Sequence, residues 1–213
     1  MVAIVGLPPY LASLNPSAAV THLLEKKIGG AELFKGKLLH AFRDTVELSN
    51  GQVAAREYVL HPGAVMVIPM LEDVQGGWEL VLERQFRYPM ERVMIEFPAG
   101  KLDPGEQSFQ CAQRELREET GFRASSWAFA GSLHPVISYS TERIDIWFAC
   151  GLIAGRRALD EGEFLDVFTA TPTQLLEWCR NGTVTDAKTL VAAFWLQNFL
   201  SGAWTLDWSA GGC

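Results

Sequence analysis

Three glutamates, Glu115, Glu118 and Glu119, are spaced i, i+3, i+4. On a helix this spacing stacks their carboxylates on one face, where like charges repel. A divalent cation relieves that repulsion, and an all-oxygen donor set suits a hard ion such as Mg²⁺ or Mn²⁺. Without an ion, crowding raises at least one carboxyl pKa. The plain alternative is a solvated acidic face balanced by Arg114 and Arg117.

The element that must hold these carboxylates is residues 100–122, GKLDPGEQSFQCAQRELREETGF. Pro104-Gly105 marks a turn. Residues 107–119 contain neither Gly nor Pro and predict a helix of about three turns. Phe109, Ala112 and Leu116 fall at i, i+3, i+7 and form its apolar stripe. Gly121 is the expected left-handed cap.

Taken whole, the stretch resembles the Nudix box. That signature reads Gly, five residues, Glu, seven residues, Arg-Glu-apolar, one residue, Glu-Glu, one residue, Gly-apolar, and every specified position is met. Seven identities at roughly one in fifteen each match by accident on the order of once in a million chains of this size. The resemblance implies a loop-helix-loop that holds metal ions against a diphosphate. It implies that the Ala99 carbonyl, Glu115 and Glu119 ligate metal. Glu118 is a third acidic position, grouped with Arg114 among the catalytic residues. Glu106 and Arg114 brace the loop and orient the carboxylates, with Gly100 and Gly121 as structural support; the bland version of the brace is a plain salt bridge.

Composition bounds the rest. The chain has 213 residues and a formal net charge of −7. That length is ample for one core, and the acidic balance argues against a nucleic-acid surface. An anionic substrate must then be met by local arginines and metal ions. The four cysteines, Cys111, Cys150, Cys179 and Cys213, show no CxxC spacing. They are expected to be reduced and structural, in a cytoplasmic protein. No apolar run reaches membrane-span length.

Along the chain, residues 1–30 are expected to form an N-terminal arm with a short helix at 23–27 ending near Gly29-Gly30. Residues 31–61 read as a small antiparallel, dimer-forming β domain, with Asn50-Gly51 as its hairpin signal. Residues 62–205 are the expected Nudix domain. Its strands are predicted at 64–71, 78–86, 93–97, 127–133, 144–152 and 164–169, and its later helices at 172–179 and 186–200. Residues 206–213 read as a tail. The fold class is α/β: a mixed sheet sandwiched between helices in α/β/α layers, with the small N-terminal antiparallel region.

Outside the box, ERQFRYP at 83–89 and EFPAG at 96–100 resemble the ADP-ribose pyrophosphatase branch of the Nudix hydrolases. The resemblance runs from about residue 34 to 200. It implies that Arg87 contacts substrate, with Arg84 beside it, and that Glu96 lines the same cleft. A guanidinium fork suits phosphate oxygens; the alternative is an Arg87 paired with Glu83 or Glu91. In the loop 160–163, Glu161 matches the position of the base that activates water and Glu163 that of a further metal contact, with Glu142 as the fallback base. The same acidic turn could simply be solvated. Pro135 fits a family feature in kind but sits early, and His134 reads as a loop histidine. The branch is typically homodimeric, its N-terminal strands helping to build the neighbour's adenosine pocket; Arg56 falls where such a contact arises, and Phe34 or Phe42 is the adenine-stacking aromatic.

The resemblance therefore implies a Mg²⁺-dependent hydrolase that converts ADP-ribose to AMP and ribose 5-phosphate. Its rivals are a hydrolase of another nucleoside diphosphate sugar of the GDP-mannose type and, more distantly, one acting on NADH or coenzyme A. From a different class comes a non-catalytic ADP-ribose-sensing module. No nucleic-acid or membrane partner is expected.

Overall fold

The computed structural model describes residues 21–209. The expected arm therefore lies outside the described residues up to residue 20, and the tail from residue 210. The chain divides into two compact units, Met1–Leu60 and His61–Cys213.

The first unit is a three-stranded antiparallel sheet in the order β1-β2-β3, with β1 at Lys26–Lys35, β2 at His40–Glu47 and β3 at Val53–Val59. β2 and β3 are joined at Asn50-Gly51, where Gly51 has φ 80° and donates to the Leu48 carbonyl. The predicted helix at 23–27 is absent. A single short turn at Thr21–Leu23 precedes β1, which runs straight through Gly29-Gly30. These glycines mark a close approach rather than a helix end. A Cβ on Gly30 would lie 2.1 Å from Asp44 Oδ1, and the register with β2 shifts between Lys27 and Gly29.

The second unit is built on a mixed sheet in the order β10-β5-β4-β9-β8, with β6 added on β5 and β7 on β4. Its strands are β4 Ala64–Glu72, β5 Trp78–Arg87, β6 Arg92–Glu96, β7 Ala99–Lys101, β8 Phe122–Leu133, β9 Ile144–Ala154 and β10 Leu165–Ala170. β4 pairs with β9 in parallel and every other pairing is antiparallel. The first seven residues of β4 are all buried, as a central strand covered on both faces must be.

Helices cover the two faces, as the sequence predicts. Val65 and Val67 point to α1 (Ser108–Glu115), where they meet Ala112 and Leu116. Met66, Ile68 and Met70 point the other way, to α2 (Pro172–Asn181) and α3 (Ala187–Leu200), through Leu175 and Leu196. Burying a side chain such as Leu116 contributes about 1.5–3 kcal/mol. α2 and α3 start where Thr171 and Asp186 accept hydrogen bonds from the Gln174 and Thr189 amides.

Cys111 and Cys179 are free thiols. Cys150 is disulfide-bonded, which corrects the expectation of four reduced cysteines and removes the redox argument for the cytoplasm. No helix among the described residues is long and apolar enough to cross a membrane.

Candidate active site

The acidic helix is aimed by its neighbours in the sheet. β7 pairs with β4, setting Ala99 opposite Met66 and Gly100 opposite Val65. The chain then turns at Pro104-Gly105, where Glu106 donates its amide to the Asp103 carbonyl. α1 is capped by Gln107, whose side chain and that of Gln110 bond each other's backbone reciprocally. Trp147 Nε1 donates to Ser108 Oγ at 2.9 Å, and the Phe109 ring packs on Trp127 and Trp147.

α1 gives way to one π-helical turn, Leu116–Thr120. Such turns change the angular spacing of side chains and recur at functional sites. Here the turn carries Glu118 and Glu119, and Gly121 closes it at φ 79°. Gly121 is required twice, because a Cβ would also sit 2.9 Å from the Gly155 carbonyl oxygen.

Arg114 is the hub. Its guanidinium donates to both Glu106 oxygens at 2.8 Å, to Glu115 Oε1 at 2.7 Å, to Glu118 Oε2 at 3.2 Å and to the Lys101 carbonyl at 3.1 Å. It therefore positions three carboxylates. It also holds the Glu106 carboxyl down to about 2, with the Asp103 amide adding to the effect. Gly100 leaves the room Glu115 needs: a Cβ there would fall 1.9 Å from Glu115 Oε1. Gly100→Ala is expected to displace that carboxylate and lower kcat roughly 10²-fold, as misplacements near 1 Å do. Steady-state kinetics beside a thermal melt check this; unchanged kcat would show that the contact is tolerated.

Glu119 is 4% exposed and accepts the Ala99 amide at 2.9 Å. Burial first, then the Glu83, Glu115 and Glu163 charges, push its carboxyl well above the ordinary range. Glu115 is pushed up to about 7 by burial, against the pull of Arg114. Glu163 is half-buried and accepts from Gln85 Nε2 at 3.4 Å. Four glutamates thus share one region, counting Glu83. Among the described residues, no three acidic, histidine or cysteine side chains already converge in ligating geometry. The donors nonetheless fit a hard divalent cation in kind: all are carboxylates, Glu83 and Glu119 are buried, and no ion pair reaches Glu83, Glu119 or Glu163 among the described residues.

The other sequence candidates are distributed unevenly. Arg87 donates to Glu96 twice, at 2.7 and 2.8 Å, so its partner is neither Glu83 nor Glu91. Lys188, in the first turn of α3, also binds Glu96 and reaches Asp186 at 3.0 Å. Burial would raise Glu96, but Arg87 and Lys188 hold it below its ordinary value. Arg84 alternates to the opposite face of β5 from Glu83, where its guanidinium lies 3.9 Å over the Phe168 ring. Arg56 is in the first unit and is tied to Glu25. Glu161 is exposed and has no hydrogen-bond or ion-pair partner among the described residues. Glu142 lies 3.8 Å from His61, and His134 is exposed.

Two site residues escaped the sequence reading, Glu83 and Lys188. The signal for Glu83 was its place directly after the apolar run Leu80, Val81 and Leu82, on the same register of β5 as Gln85 and Arg87. Lys188 had none beyond its place just after the cap Asp186.

A family model described as the NUDIX domain matches residues 60–192. The chain belongs to the Nudix family. An ADP-ribose pyrophosphatase of Bacillus subtilis (strain 168) is 36% identical over 177 residues, covering 82% of this chain and 94% of that protein. A methanol dehydrogenase activator of Bacillus methanolicus is 37% identical, covering 81% and 92%. The ADP compounds hydrolase NudE of Escherichia coli (strain K12) is 29% identical, covering 74% and 83%. Among solved structures, a crystal structure of an ADP compounds hydrolase matches with a TM-score of 0.74 at 26% identity, covering 84% of this chain and 95% of that one. As a Nudix hydrolase, the chain is an enzyme acting on nucleoside diphosphate-linked moieties.

Proposed function

We propose that this Nudix hydrolase cleaves the diphosphate of ADP-ribose, giving AMP and ribose 5-phosphate. The observation that carries this is the intact box, with Arg114 holding Glu106, Glu115 and Glu118 while Glu119 is buried against Ala99. The named relatives supply the substrate class.

The Ala99 carbonyl, Glu115, Glu119 and Glu163 would hold Mg²⁺, or Mn²⁺ in its place. When bound, the ion neutralises the diphosphate and favours ionisation of the attacking water. Arg87 binds the second phosphate: Glu96 takes two of its five N–H donors, leaving three for phosphate oxygens. Glu161, exposed on the loop before β10, accepts the proton from the attacking water.

The working form is a cytoplasmic homodimer joined through the first unit, and Arg56 belongs to that contact. Support for this comes from the apolar side chains the unit leaves exposed, among them Ile28, Leu33, Phe34, Leu38 and Val53.

The test is product analysis with ADP-ribose, GDP-mannose, NADH and coenzyme A in separate reactions, with Mg²⁺ and with chelator. AMP and ribose 5-phosphate from ADP-ribose, abolished by chelator, is the expected result. Preferential cleavage of another member would keep the box chemistry and overturn the substrate. Tight ADP-ribose binding without product would revive the sensing module.

A further inference from the structure

Glu83 is not part of the box. It lies on β5, directly opposite Glu96 of β6, and is 3% exposed. Its Oε1 is buried with no hydrogen-bond partner. Two cations lie near and neither pairs with it: Arg87 is held by Glu96, and Arg157 donates one terminal nitrogen to the Leu165 carbonyl while its buried Nε has no hydrogen-bond partner. No ion pair reaches Glu83 among the described residues.

An unpaired carboxylate in a protein interior is strongly unfavourable, and an apolar side chain of similar volume would fill the place better. The position therefore asks for positive charge. Strand alternation sets Glu83 on the same face as Gln85, whose amide donates to Glu163. Glu163, Glu96 and Glu119 are the acids that act on Glu83. An oxygen without a partner thus lies near Glu119 and Glu163, which no ion pair reaches among the described residues, while Glu96 is already paired with Arg87 and Lys188.

We propose that Glu83 is a further carboxylate ligand of the divalent-cation site, giving with Glu119 and Glu163 a cation position that the box glutamates alone do not complete. This rests on the reading of the box as a cation site. The ligand class is a hard divalent ion, for which a carboxylate-only set is suited. The competing arrangement is a neutral buried acid that never meets metal.

The test is Mn²⁺ binding to the chelator-stripped full chain, followed by titration calorimetry and by the resonance signal of free Mn²⁺. Wild type, Glu83→Gln and Glu83→Leu are compared, with Glu119→Gln as the reference for loss of an assumed box ligand. Glu83→Gln keeps the shape, and Glu83→Leu keeps the volume without the polar group, so a folding defect in one leaves the other to decide. The expected result is loss of one bound Mn²⁺ or roughly tenfold weaker binding in both variants, with a smaller Mn²⁺-induced rise in Tm than wild type shows. Wild-type stoichiometry and affinity in a folded Glu83 variant would overturn the proposal while leaving the box intact. No Mn²⁺ uptake by wild type would overturn the cation reading as a whole.

Discussion

Replacing Glu119 by Gln is expected to lower turnover on the order of 10³-fold, about 4 kcal/mol of barrier, while making the metal-free protein more stable. Both effects follow from one feature. Glu119 is 4% exposed among like charges, and burial leads the causes that push its carboxyl up. Gln keeps the acceptor for the Ala99 amide and removes the charge, so the loop position survives. The pH dependence has a definite sign. An unfolded Glu ionises near 4.5, whereas the folded carboxyl keeps its proton to higher pH. Between those values the folded state binds more protons, so stability falls as pH rises. In chelator, the wild-type Tm should therefore drop between pH 5 and pH 8, and the drop should be smaller in Glu119→Gln. Added Mg²⁺ should raise the wild-type Tm by mass action and the variant's far less. Near-normal turnover in the variant would sink the metal assignment. A variant less stable than wild type in chelator would sink the crowding account.

The acidic helix was legible because each residue in it answers a local need. Gly100 makes room for Glu115, Arg114 meets Glu106 two turns away, and Gly121 takes a positive φ that a side chain would resist. Long-range pairing left no such mark. Arg87 and Glu96 are nine residues apart and meet because β5 and β6 fold back on each other. Nothing in the spacing separates Glu96 from Glu91 as the partner. Lys188 reaches Glu96 across ninety-two positions, bringing the start of α3 beside the sheet. The same limit explains Gly29-Gly30. A pair of glycines reads as a helix stop, but here the approach of Asp44 from the next strand is what excludes a Cβ on Gly30. Strand alternation, applied to β5, would have separated Arg84 from the cleft and drawn attention to Glu83.

Arg114→Ala carries the other large expected effect, and it differs from Glu119→Gln in sign. Removing the guanidinium leaves Glu106, Glu115 and Glu118 close together without their shared donor. Breaking a largely buried ion pair on one side costs about 3 kcal/mol, so this variant should be less stable where Glu119→Gln is more stable. Catalysis should fall roughly 10²-fold through misdirected carboxylates, with the loss in kcat. The acid side distinguishes the brace from a loose surface pair. Glu106 is held down to about 2 by Arg114, so its contribution to stability is present above about 4.5 and is lost as pH falls toward 2. The stability gap between wild type and Arg114→Ala, read from urea unfolding, should therefore be widest at neutral pH and narrow toward pH 3. Arg114→Lys restores a charge but offers no fork for two Glu106 oxygens and Glu115 together, and should recover only part of both losses. A gap that is the same at pH 7 and pH 3 would mean that Arg114 acts by packing and not by holding these carboxylates ionised.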